Sequence, residues 1–193
     1  QILPELFRRF HERYPNVNFD LYTASADHIK DRMERGLTDV SLMLEPVGME
    51  KYDFVRLERR ERWVVVMHPD APLARLEYVT PEDLKSVPLI MPRRLNVQSE
   101  VASWFGDDFK RLNILFTSNL SSSSSVMVHH KLAYAMIIEG SIAFWDPGKI
   151  TYRPLHPALM ASSVLAWKRQ QPFGAAASKF IAFCKEALNS KTD

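Results

Sequence analysis

The chain is short of several things, and each shortage removes a class of function. Its 193 residues include one cysteine, Cys184, so it can form no intrachain disulfide and no cysteine-based zinc cluster. There are six glycines, with no Gly-rich phosphate loop and no Gly-x-Ser-x-Gly turn. That argues against a nucleotide cradle and against a nucleophile-elbow hydrolase. An excess of one charge is also missing. Lys and Arg number 25 against 23 Asp and Glu, and a net charge of +2 leaves no electrostatic footprint for nucleic acid. No apolar run is long enough to span a bilayer. The first residues lack the basic-then-apolar layout of a signal peptide. The composition fits a cytoplasmic protein with no membrane contact, no metal and no cofactor.

What is present is a core. Hydrophobic residues make up 46% of the chain, which supports one or two domains. Cys184 falls in an apolar helical stripe with Phe180, Phe183 and Leu188 and reads as a packing residue. Leu3, Leu6, Phe7, Phe10 and Tyr14 share one helical face, with Arg8, Arg9, Glu12 and Arg13 opposite. Pro4 suits the first turn and Pro15 stops the helix. Val17, Phe19 and Leu21 alternate with polar positions and predict a strand over 17–22. A helix carrying Ile29 and Met33 follows, capped by Ser25 or Asp27 and closed at Gly36. Residues 40–44 are almost wholly apolar, as for a strand covered on both faces.

The alternation continues. Strands are predicted over 54–57, 63–67, 88–91, 113–117, 133–138, 150–155 and 163–167. The charged run 58–62 reads as a solvated turn. Thr80-Pro81-Glu82-Asp83 carries the signature of a helix start. Further helices are expected over 98–105, closing at Gly106, over 121–130 and over 175–188. The fold class is therefore α/β, with two Rossmann-like lobes joined by two crossover strands and a ligand cleft between them. The crossovers are placed near 65–69 and 165–168. Lobe I then comprises 1–66 plus 167–193, and lobe II comprises 67–166. Because the chain starts on a helix, the first strand of lobe I is expected upstream of Gln1.

The order of motifs resembles the effector-binding (regulatory) domain of LysR-type transcriptional regulators, a fold similar to type II periplasmic binding proteins. The segments that carry the resemblance are LPELFRRFHERYPNV at 3–17, IKDRMERGLTDVSLML at 29–44, WVVVMHPDAPLA at 63–74, VTPEDLKSVPLI at 79–90 and YRPLHP at 152–157. The last helix, with Phe180 and Phe183, also matches. Three features depart from the pattern. The family's first strand with its hydroxyl-bearing loop, and its winged helix-turn-helix, are not in this sequence. The usual Gly-x-Gly before the 133–138 strand reads Lys131-Leu132-Ala133-Tyr134-Ala135.

In open α/β sheets, ligands sit at the carboxyl ends of strands, beside helix N-termini. That rule and the resemblance point to the same ligand-binding candidates. These are Thr23, Ser25 and Glu45 in the first lobe, and Met91, Arg93, Thr117, Ser118 and Asn119 in the second. Ser118 and Asn119 combine short polar side chains with a helix start, which suits a carboxylate but also suits simple capping. Arg93 offers a bidentate partner for an anion. Glu45 would instead read an amine or hydroxyl. Trp104 and Phe105 are expected to pack. His129 and His130 point about 100° apart on a helix and cannot easily chelate one ion. No catalytic constellation is present, so the expectation is a binding module and not an enzyme. The resemblance implies a small-molecule effector, with carboxylates among the candidates. It also implies a homodimer or homotetramer, and DNA contact only through an N-terminal domain outside this sequence. Pairing would use the tops of the 3–14 and 98–105 helices. The alternative is a periplasmic-type solute-binding protein of a transporter.

Overall fold

A computed structural model describes residues 2–45, 50–57 and 60–189. Contacts divide the chain into two units, 1–60 with 162–193, and 61–161.

In the first unit, α1 (Ile2–Arg13) and α2 (Ala26–Glu34) precede β1 (Ser41–Leu44) and β2 (Tyr52–Arg56). The chain returns late as β9 (Ser163–Lys168) and α6 (Ala175–Asn189). The sheet order is β1-β9-β2, with both outer strands antiparallel to β9. One apolar cluster joins Leu6 and Phe10 of α1 and Phe180, Ile181 and Cys184 of α6 to Val55, Leu165 and Trp167 of the sheet. A second joins Ile29 and Met33 of α2 to Met43, Tyr52, Val164 and Ala166. Strand neighbours alternate in side, and that alternation separates the two clusters.

Two strand expectations change here. Residues 17–22 form no ladder; the sheet contains only β1, β9 and β2 among the described residues, and alternation without a partner strand makes no sheet. The apolar pattern of the segment has a different cause. Phe19 packs its ring 4.6 Å from Phe7 and 5.6 Å from Phe180, and Val17 joins the same cluster. Nor is β1 covered on both faces. Met43 is buried against α2, while Leu42 is 45% exposed.

The second unit carries β3 (Glu61–Met67), α3 (Pro81–Leu84), β4 (Leu89–Pro92), α4 (Leu95–Phe105), β5 (Ile114–Ser118), α5 (Ser121–His129), β6 (Tyr134–Ile138), β7 (Thr151–Pro154) and β8 (Met160–Ala161). Its sheet order is β5-β4-β6-β3-β7, with β8 beside the start of β3. Strands β4, β5 and β6 are parallel, and β3 runs against β6. The middle of β3 is fully buried, as its continuous Val64-Val65-Val66 run requires. At α3, Thr80 and Asp83 make a reciprocal capping box, the arrangement legible in the sequence. Trp104 donates from Nε1 to the Pro157 carbonyl at 2.6 Å, and Phe105 is buried.

The turn expected over 58–62 does not extend to its last two residues. Glu61 and Arg62 already belong to β3, because β8 supplies a partner and Glu139 takes the Arg62 fork at 2.8 and 2.9 Å. Glu58 and Arg59 lie outside the described residues. The unit boundaries fall at 60/61 and 161/162, where the sequence suggested 66/67 and 166/167. Each crossing strand stays whole, β3 in the second unit and β9 in the first, since each is bonded along its length into one sheet.

Candidate functional site

The second unit gathers its candidates through parallel pairing. Met91 of β4 pairs with Thr117 of β5, and Pro92 with Ser118. The ladder extends by one more bond, the Arg93 amide donating to the Ser118 carbonyl at 2.8 Å. Parallel register thus brings Arg93, Thr117, Ser118 and Asn119 to one end of the sheet, beside the start of α5. Met91 differs from the other four. Its side chain is fully buried and forms part of the core beneath them.

The start of α5 is open in a specific sense. Leu120 holds the N-cap position and makes no side-chain cap. The Ser118 hydroxyl donates to the Leu120 carbonyl at 2.8 Å instead of accepting from a first-turn amide. The helix amides that a Ser or Asn cap would satisfy are therefore left for another acceptor. Arg93 and Asn119 are exposed, and their side chains have no partner among the described residues. A guanidinium, an amide and uncapped helix N–H groups within one strand end form a cationic, donor-rich surface suited to an anionic oxygen.

In the first unit the candidates behave differently. Ser25 is the N-cap residue of α2 but makes no side-chain cap; its hydroxyl lies 3.2 Å from His28 Nδ1. Thr23 is exposed on the extended segment before it. Glu45 is engaged already, accepting from Arg56 Nε at 3.0 Å, with a second guanidinium nitrogen also 3.0 Å away. Hydrogen bonding to Glu45 raises the Arg56 guanidinium above its ordinary value. Arg56 was missed in the sequence, where nothing local signals it. It meets Glu45 because β1 and β2 flank β9, with Leu44 opposite Ser163 and Arg56 opposite Val164.

Among the described residues no cluster of three or more His, Cys, Asp or Glu side chains could hold a metal ion. Among them, too, no helix is long and apolar enough to cross a membrane. Burial pushes the Cys184 thiol up to about 12, so it is held as an inert thiol.

A family model described as the LysR substrate binding domain matches residues 1–189. The uncharacterized HTH-type transcriptional regulator YvbU of Bacillus subtilis (strain 168) is 25% identical over 190 residues, covering 98% of this chain and 64% of that protein. The Hca operon transcriptional activator HcaR of Escherichia coli (strain K12) is 26% identical over 195 residues, covering 99% of this chain and 65% of that one. The chain thus spans just under two thirds of the length of these relatives. Among solved structures, the effector binding domain of QuiR in complex with shikimate superposes with a TM-score of 0.83 at 15% identity, over 98% of this chain and 91% of that one. The Synechocystis PCC6803 CcmR regulatory domain in complex with 2-PG gives 0.78 at 15% identity, over 98% and 92%. The structural likenesses establish a shared fold. The sequence relatives are transcriptional regulators, which does not favour the transporter alternative.

Proposed function

The chain belongs to the LysR substrate-binding domain family, and from that premise we propose that it is the sensing part of a transcriptional regulator, binding a small effector that bears a carboxylate or similar anionic group. The observation that carries the anionic preference is the end of β4 and β5. There Arg93 stands beside Ser118 and Asn119, at the start of a helix whose first amides have no side-chain cap. Helix N-termini attract negative charge through their free N–H groups and the aligned peptide dipoles. In this reading Arg93 supplies the countercharge and Asn119 a directional donor. Ser118, held by the Leu120 carbonyl, shapes the floor together with the buried Met91. In the first unit, taken by itself, Thr23 and Ser25 are the candidates, and Glu45 is held in its pair with Arg56 and is not a free carboxylate.

In the intact regulator, effector binding would alter how attached DNA-binding segments meet DNA, in a dimer or tetramer. The effector must bind one arrangement of the protein better than another; tight binding alone shifts nothing. The test is a thermal-shift screen of small carboxylic acids followed by two variants. Ser118→Trp is expected to abolish the stabilisation given by the best acid without lowering the melting temperature of the unliganded protein. Arg93→Ala is expected to weaken binding about tenfold, the loss of one charge-assisted contact. Full stabilisation of both variants by that acid would move the site elsewhere.

A further inference from the structure

A half-open pocket lies in the unit 61–161, away from the residues just described. It measures about 260 Å³ and is lined by Met67, His68, Ala71, Val128, Lys131 and Tyr134, with Asp70 beside them. Its place in the sheet is set by topology. Arg93 and Ser118 follow the carboxyl ends of the parallel strands β4 and β5. Tyr134 begins β6, which is parallel to β4, and β3 runs against β6 so that Met67 and His68 leave the sheet at that same end. The cavity is therefore at the opposite end of the sheet from the effector residues.

Three independent features mark this cavity as more than a packing defect. The first is Lys131, which has φ of +60°, in the left-handed region that side-chain-bearing residues rarely adopt. It closes α5 with two bonds, the Lys131 amide to Val128 O at 2.9 Å and the Leu132 amide to Met127 O at 3.1 Å. Glycine does this task without strain, so the lysine side chain is kept at a cost in stability. The second is what that side chain does. Lys131 Nζ reaches the Asp70 carboxylate at 2.8 Å, tying the loop after β3 to the end of α5 across the cavity lining. The third is a pair of polar groups on the lining, both reached by solvent and without a protein partner among the described residues. The Asp70 amide donates to His68 Nδ1 at 3.1 Å, and the Asp70 carboxylate lies 3.5 Å from the same nitrogen. Neither His68 Nε2 nor the Tyr134 hydroxyl has a side-chain or backbone partner among the described residues, and burial raises the Tyr134 hydroxyl above its ordinary value.

We propose that this cavity is a second ligand site, for a small neutral molecule with an apolar body and one hydroxyl or carbonyl oxygen. Met67, Val128 and Ala133 supply the apolar wall, and His68 and Tyr134 supply donors to the oxygen. Lys131 and Asp70 cancel one another, so the pair gives the lining no net charge to favour an anion or a cation. The pocket is partly open to solvent, and its volume of about 260 Å³ has room for a substituted ring. Lys131 acts as a positioning residue, its ammonium orienting the Asp70 carboxylate that lies beside His68.

The probe is p-cresol, titrated into the full chain and followed by amide NMR. Saturable shifts are expected at His68, Lys131, Ala133 and Tyr134, with p-toluate, an anion of the same shape, binding more weakly. Ala71→Phe, which places a ring in the lining, is expected to lower affinity at least about tenfold. Should that variant not fold, His68→Phe takes its place and is expected to lose about fivefold, the value of one hydrogen bond. Lys131→Gly is expected to raise thermal stability yet weaken p-cresol about fivefold, a split that a merely structural lysine would not show. Ser118→Trp is expected to leave p-cresol binding unchanged, which separates this site from the effector site. The proposal is overturned if p-cresol gives no saturable shift, or if its shifts centre on Ser118 and vanish in Ser118→Trp. Unchanged binding in both the cavity variant and Lys131→Gly overturns it too.

Discussion

Gly36 and Lys131 occupy the same backbone position at the ends of two different helices. After α2, the Gly36 amide donates to Met33 O at 3.1 Å and the Leu37 amide to Arg32 O at 2.9 Å. After α5, Lys131 and Leu132 repeat both bonds with Val128 and Met127. The φ angles are +70° and +60°, so one motif is closed by the residue that suits it and the other by a residue that does not. A Cβ at Gly36 would meet only Gln171 Nε2 at 3.8 Å, an ordinary contact, so its cost is conformational. Gly36→Ala is expected to destabilise by about 1 kcal/mol. Lys131→Gly is expected to stabilise by on the order of 0.5 kcal/mol, since the exposed Asp70 pair it loses contributes less than the left-handed strain it relieves. Urea melts of both variants check the pair, and equal signs would refute the common-motif explanation. The Gly36 cap was legible in the sequence because glycine advertises the left-handed region. The Lys131 cap was not, because lysine gives no such signal; only the substituted Lys131–Ala135 stretch hinted that the turn was unusual.

At the scale of elements, α2 is tied to its sheet by polar bonds as well as by Ile29 and Met33. The Tyr52 hydroxyl donates to Glu34 at 2.8 Å, and Lys168 Nζ donates to the Glu34 carbonyl at 2.9 Å. Burial first, and then the bond to Glu34, push the Tyr52 hydroxyl up to about 12 from an ordinary 10.0. A folded value above the unfolded one means the contribution is complete below about pH 10 and is lost as pH rises towards about 12. Stability is therefore expected to decline over that alkaline window. Cys184, pushed up to about 12 by burial, contributes to the same decline. Tyr52→Phe is expected to flatten part of it, as measured by denaturant melts at stepped pH, and an unaltered slope would count against the assignment. Element types were readable wherever periodicity and caps agreed, as at Thr80–Asp83 and over 175–188. They failed at 17–22 because alternation reports which side chains are covered and not whether a neighbouring backbone is present. Val17 and Phe19 are partly covered by α1 and α6, and no strand pairs with them among the described residues.

At the scale of the whole molecule, the near balance of charge bears on what the chain does alone. A protein gains non-specific affinity for DNA by neutralising phosphates with clustered Lys and Arg, and a net charge of +2 over 193 residues supplies no such cluster by excess. The isolated chain is expected to bind DNA weakly, without sequence preference, and to release it as salt rises. Gel-shift titrations at stepped salt test this, and tight operator binding that persists at high salt would contradict a purely sensory role. The candidate site divides along the same lines. Strand ends followed by short polar residues make Arg93, Ser118 and Asn119 candidates from the sequence alone, because ligands gather where parallel strands end. That Met91 is core and that Glu45 is occupied by Arg56 required the pairing of strands far apart in sequence.

The sequence by itself determined the α/β class, most helices and strands, and the family. Each of these rests on local periodicity, caps and the order of motifs, which are properties of neighbouring residues. Only the tertiary structure decided that 17–22 joins no ladder among the described residues, which carboxylate is already paired, and where a pocket opens beside a strained lysine. Those depend on register between β1, β9 and β2, and on how α5 ends against the loop after β3. Register and packing come from contacts across long stretches of chain, and no window of sequence contains both partners.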